Sequence, residues 1–131
     1  MQLDRKSAMN ADLVFDAYVE CALWSSTDES TPSGGYPLDR NYSREDIDAD
    51  ALKAMRAEVD DFLAHLPAGT DEFDDGQLGH DFWLTRNRHG AGFWDGDWPE
   101  KLGRELTDRA HGYGDAGLYV GDDGRIYFFN G

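Results

Sequence analysis

Cysteine is almost missing from this chain, which excludes an internal disulfide. Cys21 is the single cysteine among 131 residues. It lies near Ala17, Tyr18 and Leu23, a setting that favours a small buried apolar group. A fold held by noncovalent packing in a reducing, cytoplasmic compartment is therefore expected.

Long apolar runs are also missing. Arg5 and Lys6 open the chain in the manner of a signal peptide, but Asp12 and Asp16 interrupt the apolar stretch that should follow. No segment approaches the roughly 18 consecutive apolar residues of a membrane-spanning helix. The sequence therefore predicts a protein that is neither exported nor embedded in a membrane.

Positive charge is scarce, with 12 Lys and Arg residues against 27 Asp and Glu residues and a net charge of −15. Residues 41–75 alone carry more than half of that charge. Such a chain repels nucleic acid and anionic membranes and attracts basic partners. Direct nucleic-acid binding is therefore disfavoured, although the charge could also serve solubility or adaptation to high salt.

Core-forming side chains, by contrast, are plentiful. Hydrophobic residues make up 40% of the chain and aromatic residues 13%, far more than a disordered acidic tail contains. The length is typical of one domain that buries its own core. We expect a single domain over residues 1–131.

A first helix is predicted over residues 10–24. Its apolar face is formed at helical spacing by Leu13, Val14, Tyr18, Cys21 and Ala22. The opposite face carries a row of carboxylates four residues apart: Asp12, Asp16 and Glu20. Like charges at this spacing cost about 0.2–0.5 kcal/mol per pair, so the row marks either an ordinary solvated face or a binding surface.

A second helix is predicted from near residue 44 to residue 66, opened by a capping box of Ser43 and Asp46 and ended by Pro67. At 100° per residue, four carboxylates collect away from its apolar stripe, with Lys53 as their one neutralising neighbour. These carboxylates are Asp46, Asp50, Asp60 and Asp61.

The remaining patterns complete an α+β fold of three helices packed on a small antiparallel sheet. Residues 25–42 are predicted as a long loop, 82–85 as a short strand and 89–96 as a turn. Asp97 and Glu100 resemble a capping box around Pro99 that opens a third helix over 98–111. A C-terminal β-hairpin should pair 118–120 with 125–128 through a turn at Asp122 to Gly124, in a sheet of three or four strands.

Residues 79–99 concentrate three of the four tryptophans and two of the four histidines. A catalytic interpretation uses His80, Asp81 and His89 as acid, base or metal ligands, with Arg86 and Arg88 holding an anion. No HExxH, CxxC or GxSxG motif supports it, so neither a cofactor nor a metal is expected. The structural alternative is that the aromatic residues here form the main core: Phe82, Trp83, Phe93, Trp94 and Trp98.

The runs HDFWLTRNRHGAGFWD, AYVECALWSSTDES and LYVGDDGRIY resemble a family of small acidic proteins encoded by bacteriophages and other mobile elements. The resemblance spans most of the chain. The family has no agreed activity, cofactor or catalytic residue, so the resemblance implies a genetic setting, inside a bacterial host, and no mechanism.

Small acidic proteins of mobile elements often occupy the basic nucleic-acid groove of a host protein. Carboxylates on a helix that rises about 1.5 Å per residue can approximate the phosphates of duplex DNA, which shows one charge per about 1.7 Å. Our leading hypothesis is a non-enzymatic, DNA-mimicking inhibitor of a basic host protein, of anti-restriction or anti-CRISPR type. Its partner-binding residues would be Asp12, Asp16, Glu20, Asp46, Asp50, Asp60 and Asp61. The alternatives are a small hydrolase using His80, Asp81 and His89, or a structural or interaction protein of another kind.

Overall fold

Four α-helices and four short strands follow one another in the computed structural model, which describes residues 10–30, 34–89, 91–94 and 97–130. The helices are α1 (Ala11–Ser25), α2 (Ala49–Ala64), α3 (Asp75–Arg86) and α4 (Glu100–His111). The strands are β1 (Thr27–Asp28), β2 (Tyr36–Pro37), β3 (Ala116–Val120) and β4 (Ile126–Asn130). Short 3₁₀ helices cover Leu38–Arg40, Arg44–Asp46 and Thr70–Glu72. The predicted α+β class is confirmed, but the described residues form four α-helices rather than the predicted three.

The first two helices begin at side-chain caps. Asn10 accepts hydrogen bonds from the backbone N–H groups of Asp12 and Leu13, so α1 forms where predicted. The second helix begins later than predicted, because Ser43 and Asp46 form their capping box around the separate 3₁₀ turn. Ile47 is then extended and bridges Ile126 of β4, and the side chain of Asp48 caps α2.

The predicted strand at 82–85 is wrong, because these residues belong to α3. Asp74 caps this helix by accepting from the N–H of Gln77. Six consecutive residues, 81–86, are buried, so the segment shows no polar face from which helical periodicity could be recognised. Gly79 brings α3 against α1: a Cβ on it would lie 2.0 Å from the carbonyl oxygen of Val14.

The fourth helix starts at Glu100 with Pro99 as its N-cap residue and without a side-chain cap hydrogen bond. The predicted capping box of Asp97 and Glu100 is therefore wrong. Pro99 fixes the entry to the helix through its backbone instead, since its ring restricts φ.

The C-terminal hairpin is confirmed. β3 pairs antiparallel with β4 from Ala116 opposite Asn130 to Val120 opposite Ile126, and Gly124 takes a φ of 82° in the turn. A sheet of three or four strands is wrong for the described residues, where β1 and β2 pair separately inside the predicted loop. Residues 31–33 of that loop, and residues 90, 95 and 96 of the predicted turn at 89–96, lie outside the described residues.

Aromatic rings fill the core between α1, α2 and α3. Phe62 stacks on Phe82 with ring centroids 3.9 Å apart, and Tyr18 meets Trp83 edge to face. Trp83 is 1% exposed, as predicted, whereas Trp94 is 54% exposed, so its predicted burial is wrong. The backbone N–H of buried Phe93 donates a hydrogen bond to Thr85 Oγ1. The side chain of Trp94, the next residue, is exposed to solvent.

None of the helices described is long and apolar enough to cross a lipid bilayer.

Candidate functional site

The carboxylate row of α1 lies on the solvent side of the helix. Asp12, Asp16 and Glu20 are all exposed, whereas Val14 and Tyr18 are completely buried. The row is held in place by the fixed start of α1 at Asn10 and by the packing of the opposite face. Its three charges therefore lie on a rigid element.

Two arginines neutralise part of this row, which the sequence reasoning missed. Arg44 lies 2.5 Å from Asp16, and Arg56 bridges Asp12 and Asp60 at 3.0 Å each. Hydrogen bonds to Asp60 and Asp12 raise the pKa of Arg56. The structure thus brings Asp12, Asp16 and Asp60 together at the α1–α2 boundary, but with two guanidinium groups among them.

Both arginines also lie over one ring of α1. The guanidinium carbons of Arg44 and Arg56 lie 4.9 and 5.4 Å from the ring centroid of Phe15. The sequence contains a signal for the pairing of Arg56 with Asp60, since the two residues are four apart, the spacing of a helical ion pair.

The other predicted carboxylates of the second helix do not join that group. The half-buried Asp46 accepts from the backbone N–H of Ser43, and the hydroxyl of Tyr113 donates to Asp61 at 2.5 Å, on the side facing α4. Asp50 is exposed on the first turn of α2 and forms no ion pair within the described part of the chain. The seven predicted residues therefore do not form one continuous face.

A more strongly acidic groove lies between α1 and α3, and we call it the α1–α3 acidic groove. Its volume is about 570 Å³. Exposed Glu20, Asp74 and Asp97 and buried Asp81 line it together with His80. Among the described residues, neither lysine nor arginine lines the groove, and Glu20, Asp74 and Asp97 form no ion pair.

Sequence reasoning finds Glu20 but not the other groove carboxylates, because it predicts residues 82–85 as a strand and no helix over 75–86. Asp74, the N-cap residue of α3, lines the same groove as Glu20 because α3 packs along α1. The groove thus gathers carboxylates from separate parts of the chain on one surface.

The predicted catalytic residues are not assembled into one site. His80 is exposed, with Nδ1 3.5 Å from Asp81 Oδ1, whereas His89 follows the end of α3 and is exposed there. His89 lies beyond the C-terminal end of α3, where its backbone N–H donates to the carbonyl oxygen of Leu84, and it is not among the described residues that line the groove with His80 and Asp81. The Asp81 carboxylate accepts a 2.8 Å hydrogen bond from the indole of Trp98, so its position is fixed by the core.

Arg86, proposed from the sequence as an anion ligand, is instead completely buried. It donates to Tyr18, Glu58 and the carbonyl oxygens of Tyr113 and Gly114. Burial disfavours its charge, but Tyr18 and Glu58 outweigh this effect and raise the pKa of Arg86. Its role is structural, since these contacts join α1, α2, α3 and the segment before β3.

Metal binding is not indicated within the described ranges, where no three His, Cys, Asp or Glu side chains are grouped closely enough to hold an ion. The arrangement offers exposed negative charge on helices that pack on a common core, which is suited to binding a cationic surface.

Comparisons with protein-family models, with curated proteins and with solved structures found no match for this chain.

Proposed function

We propose that this protein is a non-enzymatic inhibitor that binds a basic, nucleic-acid-binding partner through its exposed carboxylates. The observation that carries the proposal is the α1–α3 acidic groove, where Glu20, Asp74 and Asp97 lie exposed without a neutralising lysine or arginine among the described residues. The net charge of −15 adds a long-range attraction for a basic protein.

Charge spacing determines how far α1 alone resembles DNA. Carboxylates four residues apart on a helix are separated by about 6 Å along its axis. One strand of duplex DNA carries a phosphate about every 3.4 Å, so the row Asp12, Asp16 and Glu20 supplies about half that density. The carboxylates of Asp74 and Asp97 supply further charge in the groove that Glu20 also lines.

The predicted residues contribute unequally in this proposal. Within the described residues Glu20 and Asp50 form no ion pair, whereas Asp12, Asp16 and Asp60 must exchange their arginine partners for those of the bound protein. The carboxylate of Asp61 accepts a hydrogen bond from the Tyr113 hydroxyl, and that of Asp46 accepts one from the Ser43 backbone N–H in the capping box. We expect the largest binding losses at Glu20 and its neighbours in the groove.

The resemblance to proteins of bacteriophages and mobile elements directs the search for a partner to bacterial host defence. A restriction complex, a CRISPR effector or another DNA-binding protein presents a basic groove of the required charge. Such a partner places the action of the protein in the host cytoplasm.

The test compares two variants of equal net charge. The groove variant is Glu20→Gln, Asp74→Asn and Asp97→Asn, in which Asn preserves the helix cap at position 74. The control is Glu105→Gln, Asp108→Asn and Asp122→Asn, three exposed carboxylates outside the groove. Both variants are measured for displacement of labelled duplex DNA from purified restriction and CRISPR effector complexes.

The groove variant should lose about tenfold or more in displacement, and the control should retain most of it, because contacting charges affect binding more than distant ones. Equal losses would mean that total charge alone acts, and no displacement by the unaltered protein would reject the proposal. If His80→Ala with His89→Ala abolishes inhibition in a folded protein while the groove variant is silent, the hydrolase alternative replaces it.

A further inference from the structure

The outer edge of β3 has unpaired backbone groups. In this ladder the residues that exchange hydrogen bonds across the hairpin alternate with residues that point away. Gly121 N–H donates to the carbonyl of Arg125, and the register therefore turns the backbone groups of Leu118 and Val120 outward. Ala116, in the same phase, donates its N–H outward to the side chain of Asn87.

These outward groups open into a groove. Among the described residues, no hydrogen bond reaches the outward N–H and C=O groups of Leu118 and Val120. The groove has a volume of about 480 Å³ and runs between β3 and the segment that follows α1. β1 lies beside β3 without pairing to it, and the groove separates the two segments at Leu118 to Val120, where Leu118 is 5% exposed.

Aromatic rings flank this edge on the outer face of the hairpin. Tyr119 is 48% exposed and Phe129 is 54% exposed, with ring centroids 6.0 Å apart, and Tyr127 lies 5.8 Å from Tyr119. Arginines lie over exposed or half-exposed rings elsewhere, as Arg40 does over Tyr36. Within the described chain, no arginine lies over the three hairpin rings.

The charged residues in and next to this groove are acidic. Glu29 lines it, Asp115 precedes β3, and Asp122 and Asp123 follow it, whereas neither lysine, arginine nor histidine is among its described lining residues. A second copy of this chain would bring the same negative groups and a net charge of −15 to the edge. Charge complementarity therefore favours a cationic occupant over self-association.

We propose that the open edge of β3 binds an extended, arginine-containing segment of a partner protein as an added strand. The segment's backbone pairs with Leu118 and Val120, which is the general mode of strand addition. Its alternate arginine side chains stack on Tyr119 and Phe129, and Glu29 attracts them. None of these residues belongs to the α1–α3 acidic groove. Loss of strand binding at β3 would therefore be distinguishable from loss of the proposed inhibitory function.

The test uses a soluble peptide of alternating valine and arginine, added to the full chain labelled with ¹⁵N. We expect backbone amide shifts centred on Leu118 and Val120. The same peptide with N-methyl groups on alternate residues should bind about tenfold more weakly, because it loses strand hydrogen bonds while retaining its charge. A peptide of alternating valine and glutamate should not bind.

Matched variants separate the aromatic contact from general stickiness. Phe129→Ala should weaken binding of the arginine peptide about two- to fivefold, the scale of an exposed cation–π contact. Trp94→Ala, which removes an equally exposed ring from another part of the surface, should leave binding unchanged. Equal binding of the N-methylated peptide, shifts away from β3, or peptide-independent dimerisation through this edge would each overturn the proposal.

Discussion

At the scale of single residues, Arg86 connects more elements than any other side chain discussed above. It is 0% exposed and binds Glu58, Tyr18 and two backbone carbonyls. A buried guanidinium contributes specificity of packing when its donors are satisfied, and leaves an uncompensated charge when its partner is removed. The network also fixes α3, whose capping residue Asp74 lines the acidic groove.

Replacing Arg86 with Met should therefore destabilise the protein by about 3–5 kcal/mol, because Glu58 loses its partner in a largely buried setting. The control is Arg104→Met, which removes an exposed pair with Glu100 at 3.9 Å and should cost less than about 1 kcal/mol. Urea unfolding of both variants measures the difference. Similar losses would show that burial of Arg86 contributes no more than surface pairing.

The two tryptophans of the 79–99 segment should behave differently. Trp83→Ala should destabilise by about 3–5 kcal/mol, because the ring is buried and its indole donates to Ser25 Oγ at 2.7 Å. Trp94→Ala should change stability by less than about 1 kcal/mol, because 54% of the residue is exposed. Thermal and urea denaturation would detect the contrast, and a large loss at Trp94 would contradict this placement.

Cys21 makes stability sensitive to alkaline pH. Burial, with a smaller contribution from Asp81, raises the pKa of its thiol from 9.0 to about 12. The unfolded chain therefore loses this proton first, and stability should fall as pH rises between about 9 and 12. In Cys21→Ala the decline in unfolding free energy from neutral pH to about 10.5 should be smaller. An identical decline would exclude Cys21 as a contributor.

At the scale of elements, α3 determines which surface is acidic. That residues 75–86 form a helix could not be predicted from the local sequence pattern. Its sequence contains two glycines, aromatic residues and a β-branched Thr85, all of which lower helix propensity. Packing against α1 and burial of 81–86 override these preferences. The amphipathic helices α1, α2 and α4 and the hairpin, by contrast, were predicted because each has a polar side or a glycine turn.

Gly79 tests whether close approach of α3 to α1 is essential. Gly79→Ala should destabilise by about 1–3 kcal/mol, because its Cβ would lie 2.0 Å from the Val14 carbonyl oxygen. This loss runs against the gain of about 1 kcal/mol that alanine normally brings to a helix.

The matched control is Gly76→Ala, in the first turn of the same helix. Its Cβ would lie 3.0 Å from Asp74 Oδ2, the oxygen that accepts from the Gln77 N–H in the helix cap, so the cap must shift slightly to admit it. Urea unfolding should show Gly76→Ala to be less destabilising than Gly79→Ala, with a loss of no more than about 1 kcal/mol. A neutral Gly79→Ala would mean that the two helices do not pack as closely as described.

At the scale of the whole molecule, charge composition predicts a basic partner but not the surface that would bind it. The rows on α1 and α2 followed from helical spacing, so Asp12, Asp16 and Asp60 were found. The neutralisation of Asp16 by Arg44 depends on a contact 28 residues apart in sequence, and the grouping of Glu20 with Asp97 in one groove depends on how the chain packs. Long-range contacts of this kind are not encoded in any local spacing.

The central claim is that this protein occupies the nucleic-acid groove of a basic partner, and competition with duplex DNA tests it most directly. A restriction or CRISPR effector complex that binds the protein would be immobilised, saturated with it and titrated with duplex DNA at each of several fixed ionic strengths. We predict mutually exclusive binding, with each ligand releasing the other, and weaker binding of both as salt screens their charges over about 8 Å at physiological strength. A stable ternary complex of effector, DNA and this protein would contradict the account.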